Sequence, residues 1–222
     1  MLLHRPQVVS VGIGVEIERV QYLATKNCTT MVVEMATGVS LEEYCRLEYD
    51  AKTRHEYING EIIPMPYTSE NHGLIASNIH GALFVCLKGS ENHRLYIADR
   101  MLYVPTGANE GNTYYPDLMI LESEPVFKAV SANMQATTNP AVVIEILSGS
   151  NADNDLVEKL THYKTIATLK QYLIFWQTKK QVETFTRINE KEWLDVVLTE
   201  KEGAVRILDC ELLFGDIYEK VI

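Results

Sequence analysis

The chain has 222 residues, of which 46% are hydrophobic and 23% charged, and its formal net charge is −10. This supplies enough apolar material for one sizeable core and leaves room for one domain or at most two. The acidic balance excludes a general nucleic-acid coat, which needs a broad Lys/Arg surface, but not a nuclease, because a metal-dependent site is itself a carboxylate cluster that a local basic rim can serve.

The first 34 residues read as an extension. Val9, Val11, Ile13, Val15 and Ile17 alternate as in a strand, without a visible hairpin partner. Met35-Ala36-Thr37 resembles a natural start, and a domain is expected over residues 35–222. Ser40-Leu41-Glu42-Glu43 has capping-box spacing and opens a short helix to about Glu48. Asn59-Gly60 between Arg54–Ile58 and Glu61–Met65 predicts a hairpin, since both turn positions need positive φ. Ser69 can cap a helix to about Leu87, with Ile75, Ile79, Leu83 and Cys86 on one face. Arg94–Ala98 and Met101–Val104 read as strands, Thr106–Asn112 as a loop, and Tyr114–Leu121 as a further strand with Pro116 at its mouth.

The stretch from Glu122 to Asn139 is polar, with a short helical turn expected at Ala129–Met134. Pro140–Leu147 is the most apolar run and predicts a central strand buried on both faces. Ser148-Gly149-Ser150 breaks it. A helix follows over about Asp153–Ala167, with Leu156, Leu160, Tyr163 and Ala167 on its buried face. Gln171–Gln177 is the next strand. Val182–Ile188, Trp193–Leu198 and Ala204–Leu208 predict a meander, and Glu211–Val221 a closing helix.

Four cysteines, Cys28, Cys45, Cys86 and Cys210, lie far apart with no C-x-x-C pair and no paired His. Neither a zinc site nor a disulfide framework is expected, only buried thiols in a reducing cytosol. No apolar run reaches the ~20 residues that cross a bilayer, and the start lacks signal-peptide order. A cytoplasmic protein without a membrane partner is the expectation.

Glu145 stands inside Val142–Leu147, where a carboxylate must meet a cation, a donor or an open cleft. Asp117 begins its strand and Glu145 lies near the end of the later one. Antiparallel pairing would bring both to one sheet edge, where two carboxylates and a backbone carbonyl make a hard oxygen site suited to Mg²⁺ or Mn²⁺. Lys159, at the border of the next helix's buried stripe, could stabilise developing negative charge or orient a water. It could equally be the ordinary i,i+4 partner of Asp155. No G-x-S-x-G elbow or Cys/His pairing points to a nucleophile. His55 and His72 read as hydrogen-bonded structural groups or pocket walls rather than ligands.

The ordered segments Leu41–Tyr44, Arg54–Glu61, His72, Tyr115-Pro116-Asp117, Asn139–Ser150, Asp155–Tyr163 and Gln171–Ile174 together resemble the Uma2 family, over nearly everything after Met35. The resemblance implies an α/β (α+β) restriction-endonuclease-like core of the PD-(D/E)XK type: a mixed central sheet flanked by helices, here with the C-terminal β-meander. It implies Asp117 at the aspartate position, Glu145 at the second acidic position and Glu61 as a further acidic residue near the site. Two residues after Glu145, where the superfamily expects lysine, this chain has Leu147, so Lys159 would supply that charge from another backbone position. Ser148-Gly149-Ser150 stands where relatives commonly carry Ser-Pro-Ser. The expected function is a Mg²⁺-dependent (or Mn²⁺-dependent) nuclease acting on DNA, with the ion on Asp117, Glu145 and the Ile146 carbonyl. Alternatives are a catalytically inactive nuclease-fold protein that binds nucleic acid, or a homodimeric interaction module.

Overall fold

The computed structural model describes residues 19–25, 28–35, 37–107, 110–147 and 152–221, with side chains described within 37–107, 110–147 and 158–221. The strand expected at Val9–Ile17 and the break at Ser148–Ser150 lie outside these residues. The first described element is a hairpin that the sequence pattern did not announce, β1 (Arg19–Thr25) with β2 (Cys28–Met35), paired antiparallel.

Helix α1 (Leu41–Asp50) starts at Ser40, whose side chain accepts from the Glu43 N–H at 3.2 Å. Only that half of the capping box forms. The Glu43 carboxylate turns outward to grip the Arg46 guanidinium at 2.6 and 2.9 Å. Strands β3 (His55–Ile58) and β4 (Glu61–Pro64) close around Asn59 at φ 52° and Gly60 at φ 87°, the left-handed pair that this turn requires. Helix α2 (Glu70–Leu87) is capped by Ser69, which accepts from the His72 N–H at 3.1 Å.

Next come β5 (Arg94–Ile97), β6 (Leu102–Pro105), β7 (Gly111–Tyr114) and β8 (Leu118–Leu121). The single strand expected over Tyr114–Leu121 is therefore two. Tyr114 ends β7 in one sheet, and Pro116, which has no N–H for a ladder, lies where the chain crosses to β8 in another. The helical turn expected at Ala129–Met134 is instead the hairpin of β9 (Phe127–Ser131) and β10 (Met134–Thr137), where Val130, Met134 and Ala136 pack into an apolar cluster shared with α1.

After β11 (Val142–Leu147) come α3 (Ala152–Lys164), β12 (Gln171–Trp176), β13 (Gln181–Arg187) and β14 (Trp193–Thr199). Helix α3 stops short of Ala167, which is exposed; Ile166 and Leu169 are buried in its stead. The Arg187 guanidinium bonds the carbonyls of Lys164, Ile166 and Leu169 at 2.6–3.0 Å and so supplies partners to the helix end. The meander runs only from β12 to β14. Strand β15 (Ala204–Ile207) leaves it to pair with β16 (Cys210–Leu213), and α4 (Phe214–Ile217) follows.

Two six-stranded sheets result, ordered β14-β13-β12-β11-β8-β5 and β4-β3-β7-β6-β10-β9. The first is mixed: β11 is parallel to β12 and antiparallel to β8. One of its faces packs against α2, α4 and the β15–β16 hairpin through Ile75, Ile79, Leu83, Ile144, Ile146 and Leu212. The other packs against α3 and the second sheet through Val143, Tyr163, Tyr172, Tyr114 and Leu102.

The cysteine expectation is overturned at one pair. Cys86 of α2 and Cys210 of β16 form a disulfide, with Cα atoms 6.0 Å apart and a sequence separation of 124. Packing of β16 on α2 brings together two residues whose spacing carries no sequence signal. Cys45 is a buried free thiol, as expected.

Candidate active site

Successive strand residues face opposite sides, so Val143, Glu145 and Leu147 point to the α3 side of β11. Glu145 is only 4% exposed there. Tyr163 of α3 donates its hydroxyl to Glu145 Oε1 at 2.9 Å, and Lys159 Nζ lies 3.6 Å from the same oxygen. Lys159 Nζ also donates to Glu56 Oε1 of β3 at 3.0 Å, and it lies 5.8 Å from the centre of the Tyr114 ring. Glu56 and Lys159 are 7% and 8% exposed. Burying charge costs several kcal/mol per ion unless partners offset it; here an ammonium is shared by two carboxylates over an aromatic face. The Glu56 oxygen accepts in addition from the Tyr115 N–H at 3.4 Å.

Asp117 arrives by register. Strands β8 and β11 pair Ile120 with Val142, Met119 with Val143 and Leu118 with Ile144, and stop there. The next pair would set Asp117 opposite Glu145. Instead, the Asp117 side chain takes the place of a backbone partner: Oδ2 accepts from the Ile146 N–H at 2.8 Å. The N–H and C=O of one strand residue face the same neighbour, so the Ile146 carbonyl faces this opened edge too. Asp117 Oδ1 lies 3.1 Å from His72 Nε2, which the first turn of α2 delivers.

The cluster is short of positive charge. The Glu145 carboxyl is pushed up to about 8, chiefly by burial; Lys159 opposes this, Asp117 and Glu56 add to it, and the Tyr163 hydrogen bond opposes it again. Asp117 thus lies near enough to penalise ionisation of Glu145. Among the described residues, no three His, Cys, Asp or Glu side chains group so as to hold an ion by themselves. A cation here would rest on two carboxylates, a carbonyl and water. That donor set is hard, and its carboxylates outnumber the one lysine beside them, so the residues fit a divalent ion of the Mg²⁺ type.

Asp117, Glu145, Ile146 and Lys159 therefore come together. The expected partner of Lys159, Asp155, has a side chain outside those described. Glu61 does not join the cluster. It is exposed on β4, opposite Ile58, two cross-strand pairs nearer the turn than the pair of Glu56 with Ile63. The carboxylate that meets Lys159 is Glu56, which sequence reasoning missed. Its signal was the spacing to Ile58, two residues on: a strand that buries Ile58 buries Glu56 on the same face. His72, expected as a hydrogen-bonded structural group or a pocket wall, sets its Nε2 3.1 Å from Asp117 Oδ1. His55 is structural, held at Nδ1 by the buried Glu48 at 2.8 Å, while Glu48 also accepts from the Tyr115 hydroxyl at 3.1 Å.

Residues 41–214 match the profile of the Uma2 family, described as "Putative restriction endonuclease". The chain is 32% identical over 173 residues to the uncharacterized protein sll1609 of Synechocystis sp., covering 78% of this chain and 93% of that one. It is 26% identical over 156 residues to the uncharacterized protein slr1290 of the same organism, covering 70% and 78%. Its fold is similar to the crystal structure of "a putative nuclease belonging to DUF820" from Anabaena variabilis, with a TM-score of 0.65 and 18% identity, over 83% of this chain and 99% of that one.

Proposed function

This chain belongs to the Uma2 family, and on that premise we propose that it is a nuclease that hydrolyses DNA phosphodiester bonds with Mg²⁺ or Mn²⁺. The observation that carries the proposal is the meeting of Asp117, Glu145 and Lys159 at one opened sheet edge, with the Glu145 carboxyl pushed up to about 8, chiefly by burial and against the pull of Lys159.

Asp117, Glu145 and the Ile146 carbonyl would hold the ion, which when bound supplies an acidified water and polarises the phosphate. The protein's own groups do the rest. His72 and the Ile146 N–H fix both oxygens of Asp117. Tyr163 fixes Glu145 through its Oε1 oxygen. Lys159 brings a full positive charge beside Glu145 without a strand position, and such a preorganised charge stabilises a phosphate gathering negative charge. Glu56 keeps the ammonium aimed inward while the site is empty of substrate.

The test is cleavage of double-stranded, single-stranded and supercoiled DNA, and of RNA, with and without Mg²⁺ or Mn²⁺. Wild type should cleave DNA only with metal, and Asp117→Ala should lose both cleavage and metal affinity. Wild-type protein that binds Mn²⁺ but cuts none of these substrates sinks the enzymatic reading. That outcome favours a nuclease fold used for binding, a reading that the closed Glu56–Lys159–Glu145 ion network also supports. We also propose that residues 35–222 form the domain and 1–34 an addition to it. A chain beginning at Met35 should then unfold in one cooperative transition.

A further inference from the structure

A lysine two residues after Glu145 would be placed by the sheet itself, because a strand residue has little freedom to turn. Lys159 has no such guide. It stands on a helix, where one residue of register turns a side chain by about 100°. Its four-carbon stem must still put Nζ 3.0 Å from Glu56 and 3.6 Å from Glu145. Whatever holds α3 against rotation and sliding therefore sets where that charge sits.

Contacts on both sides of Lys159 do this. Glu158, the residue before it, accepts at Oε1 from Asn59 Nδ2 at 2.9 Å. Asn59 belongs to the β3–β4 turn, whose φ of 52° is fixed by the hairpin. Its own N–H donates to Asn112 Oδ1 of β7 at 2.9 Å. Asn112 Nδ2 donates to the Tyr114 hydroxyl at 3.3 Å. One turn after Lys159, His162 Nδ1 lies 2.5 Å from that same hydroxyl. Asn112 Nδ2, which can only donate, also lies 3.3 Å from His162 Nδ1, so Nδ1 is an acceptor and the Tyr114 hydroxyl donates to it. The turn, β7 and two positions of α3 are thus one hydrogen-bonded chain, and Lys159 lies between its two attachments to the helix.

We propose that Asn59 and His162 are positioning residues for Lys159: together they pin α3 to the β3–β4 turn and to β7, so that the ammonium reaches the Asp117–Glu145 site. This rests on the reading of Lys159 given above. Neither residue touches the reacting atoms. The pin supplies what Leu147 at the strand position cannot.

The test uses the full chain. Asn59→Gly keeps the positive φ and removes only the side-chain bond. His162→Leu removes the acceptor for Tyr114. Glu158→Gln keeps an acceptor for Asn59. Misplacing a reacting group by about 1 Å can cost about 10²-fold in rate. Asn59→Gly and His162→Leu should each lower kcat by about tenfold, and by about 10²-fold together, with KM unchanged. Mn²⁺ affinity should stay within about twofold, and Glu158→Gln should retain most of the turnover. A readout independent of catalysis is the Nζ signal of Lys159 in [¹⁵N]lysine-labelled protein, assigned with Lys159→Met. It should shift or broaden in Asn59→Gly and His162→Leu, and not in Glu158→Gln. A folded Asn59→Gly, His162→Leu double variant with an unshifted Lys159 signal overturns the inference, as does equal loss in Asn59→Gly and Glu158→Gln. If wild type cleaves nothing, the nuclease reading fails, and the Lys159 signal alone still decides whether the pin places the ammonium.

Discussion

One strand, β11, serves two unlike faces. Val142, Ile144 and Ile146 enter an aliphatic cluster with α2, α4 and the β15–β16 hairpin. Val143, Glu145 and Leu147 enter the side of α3, among Tyr114, Tyr163 and Tyr172, where Lys159, Glu56 and Asp117 gather. The first face asks nothing of its groups but fit. The second buries charges, each of which needs a named partner to be tolerable. The pleat therefore places stability and chemistry one residue apart, and a substitution at 144 or at 145 should report on different properties.

The largest stability effect belongs to the aliphatic face. Ile144→Ala should cost about 2–5 kcal/mol, measured by urea unfolding, because it opens a cavity between β11 and α2. Turnover per folded molecule should hardly change. A variant as stable as wild type but inactive would mean that the two faces are not separable in this way.

On the polar face, Lys159→Met keeps most of the aliphatic stem and removes the charge. Turnover should fall by about 10²–10³-fold while metal binding persists, since lysine is not a ligand. Equal cleavage by Lys159→Met and wild type would show that the charge comes from elsewhere.

Glu145 sharpens the contrast through pH. Its carboxyl is raised to about 8 in the folded chain, against an ordinary value of 4.5. The folded state therefore holds this proton more tightly than the unfolded one. The stability it contributes is complete below about pH 4.5 and is lost as pH rises through about 8. In metal-free protein, wild type should lose stability relative to Glu145→Gln across that window, and no such divergence is expected at position 144. Parallel pH profiles for the two proteins would remove the argument that burial holds the Glu145 proton in the folded chain.

The smallest effect lies where the two faces meet. Helix α2 packs on the aliphatic side, but its first turn sends His72 to Asp117. Ser69→Ala removes the cap that bonds the His72 N–H and should cost about 1 kcal/mol in thermal or urea unfolding. No loss at all would mean that this turn is held by its neighbours rather than by its cap.

Much of this was written locally. The Asn59-Gly60 turn, the Ser69 cap and the continuous apolar run around Glu145 are short-range signals, because φ preference, capping and hydrophobicity act within a few residues. The antiparallel pairing that brings Asp117 to the end of β11 was a condition the sequence left open, and the register of β8 on β11 meets it. The hairpin of β9 and β10 was not legible, since Ala129–Met134 has no clear period until α1 covers one side of it.

By itself, then, the sequence determined the Asn59-Gly60 turn, the capped start of α2 and the apolar strand around Glu145, and that Glu145 needs a partner. Tertiary structure alone decided who the partners are. Glu56 reaches Lys159 across 103 positions, His72 reaches Asp117 from another helix, and Cys86 meets Cys210 across 124. Hydrogen bonds and ion pairs act over about 3–4 Å in space, while the residues that form them are placed by the packing of whole sheets and helices. No local pattern encodes that distance.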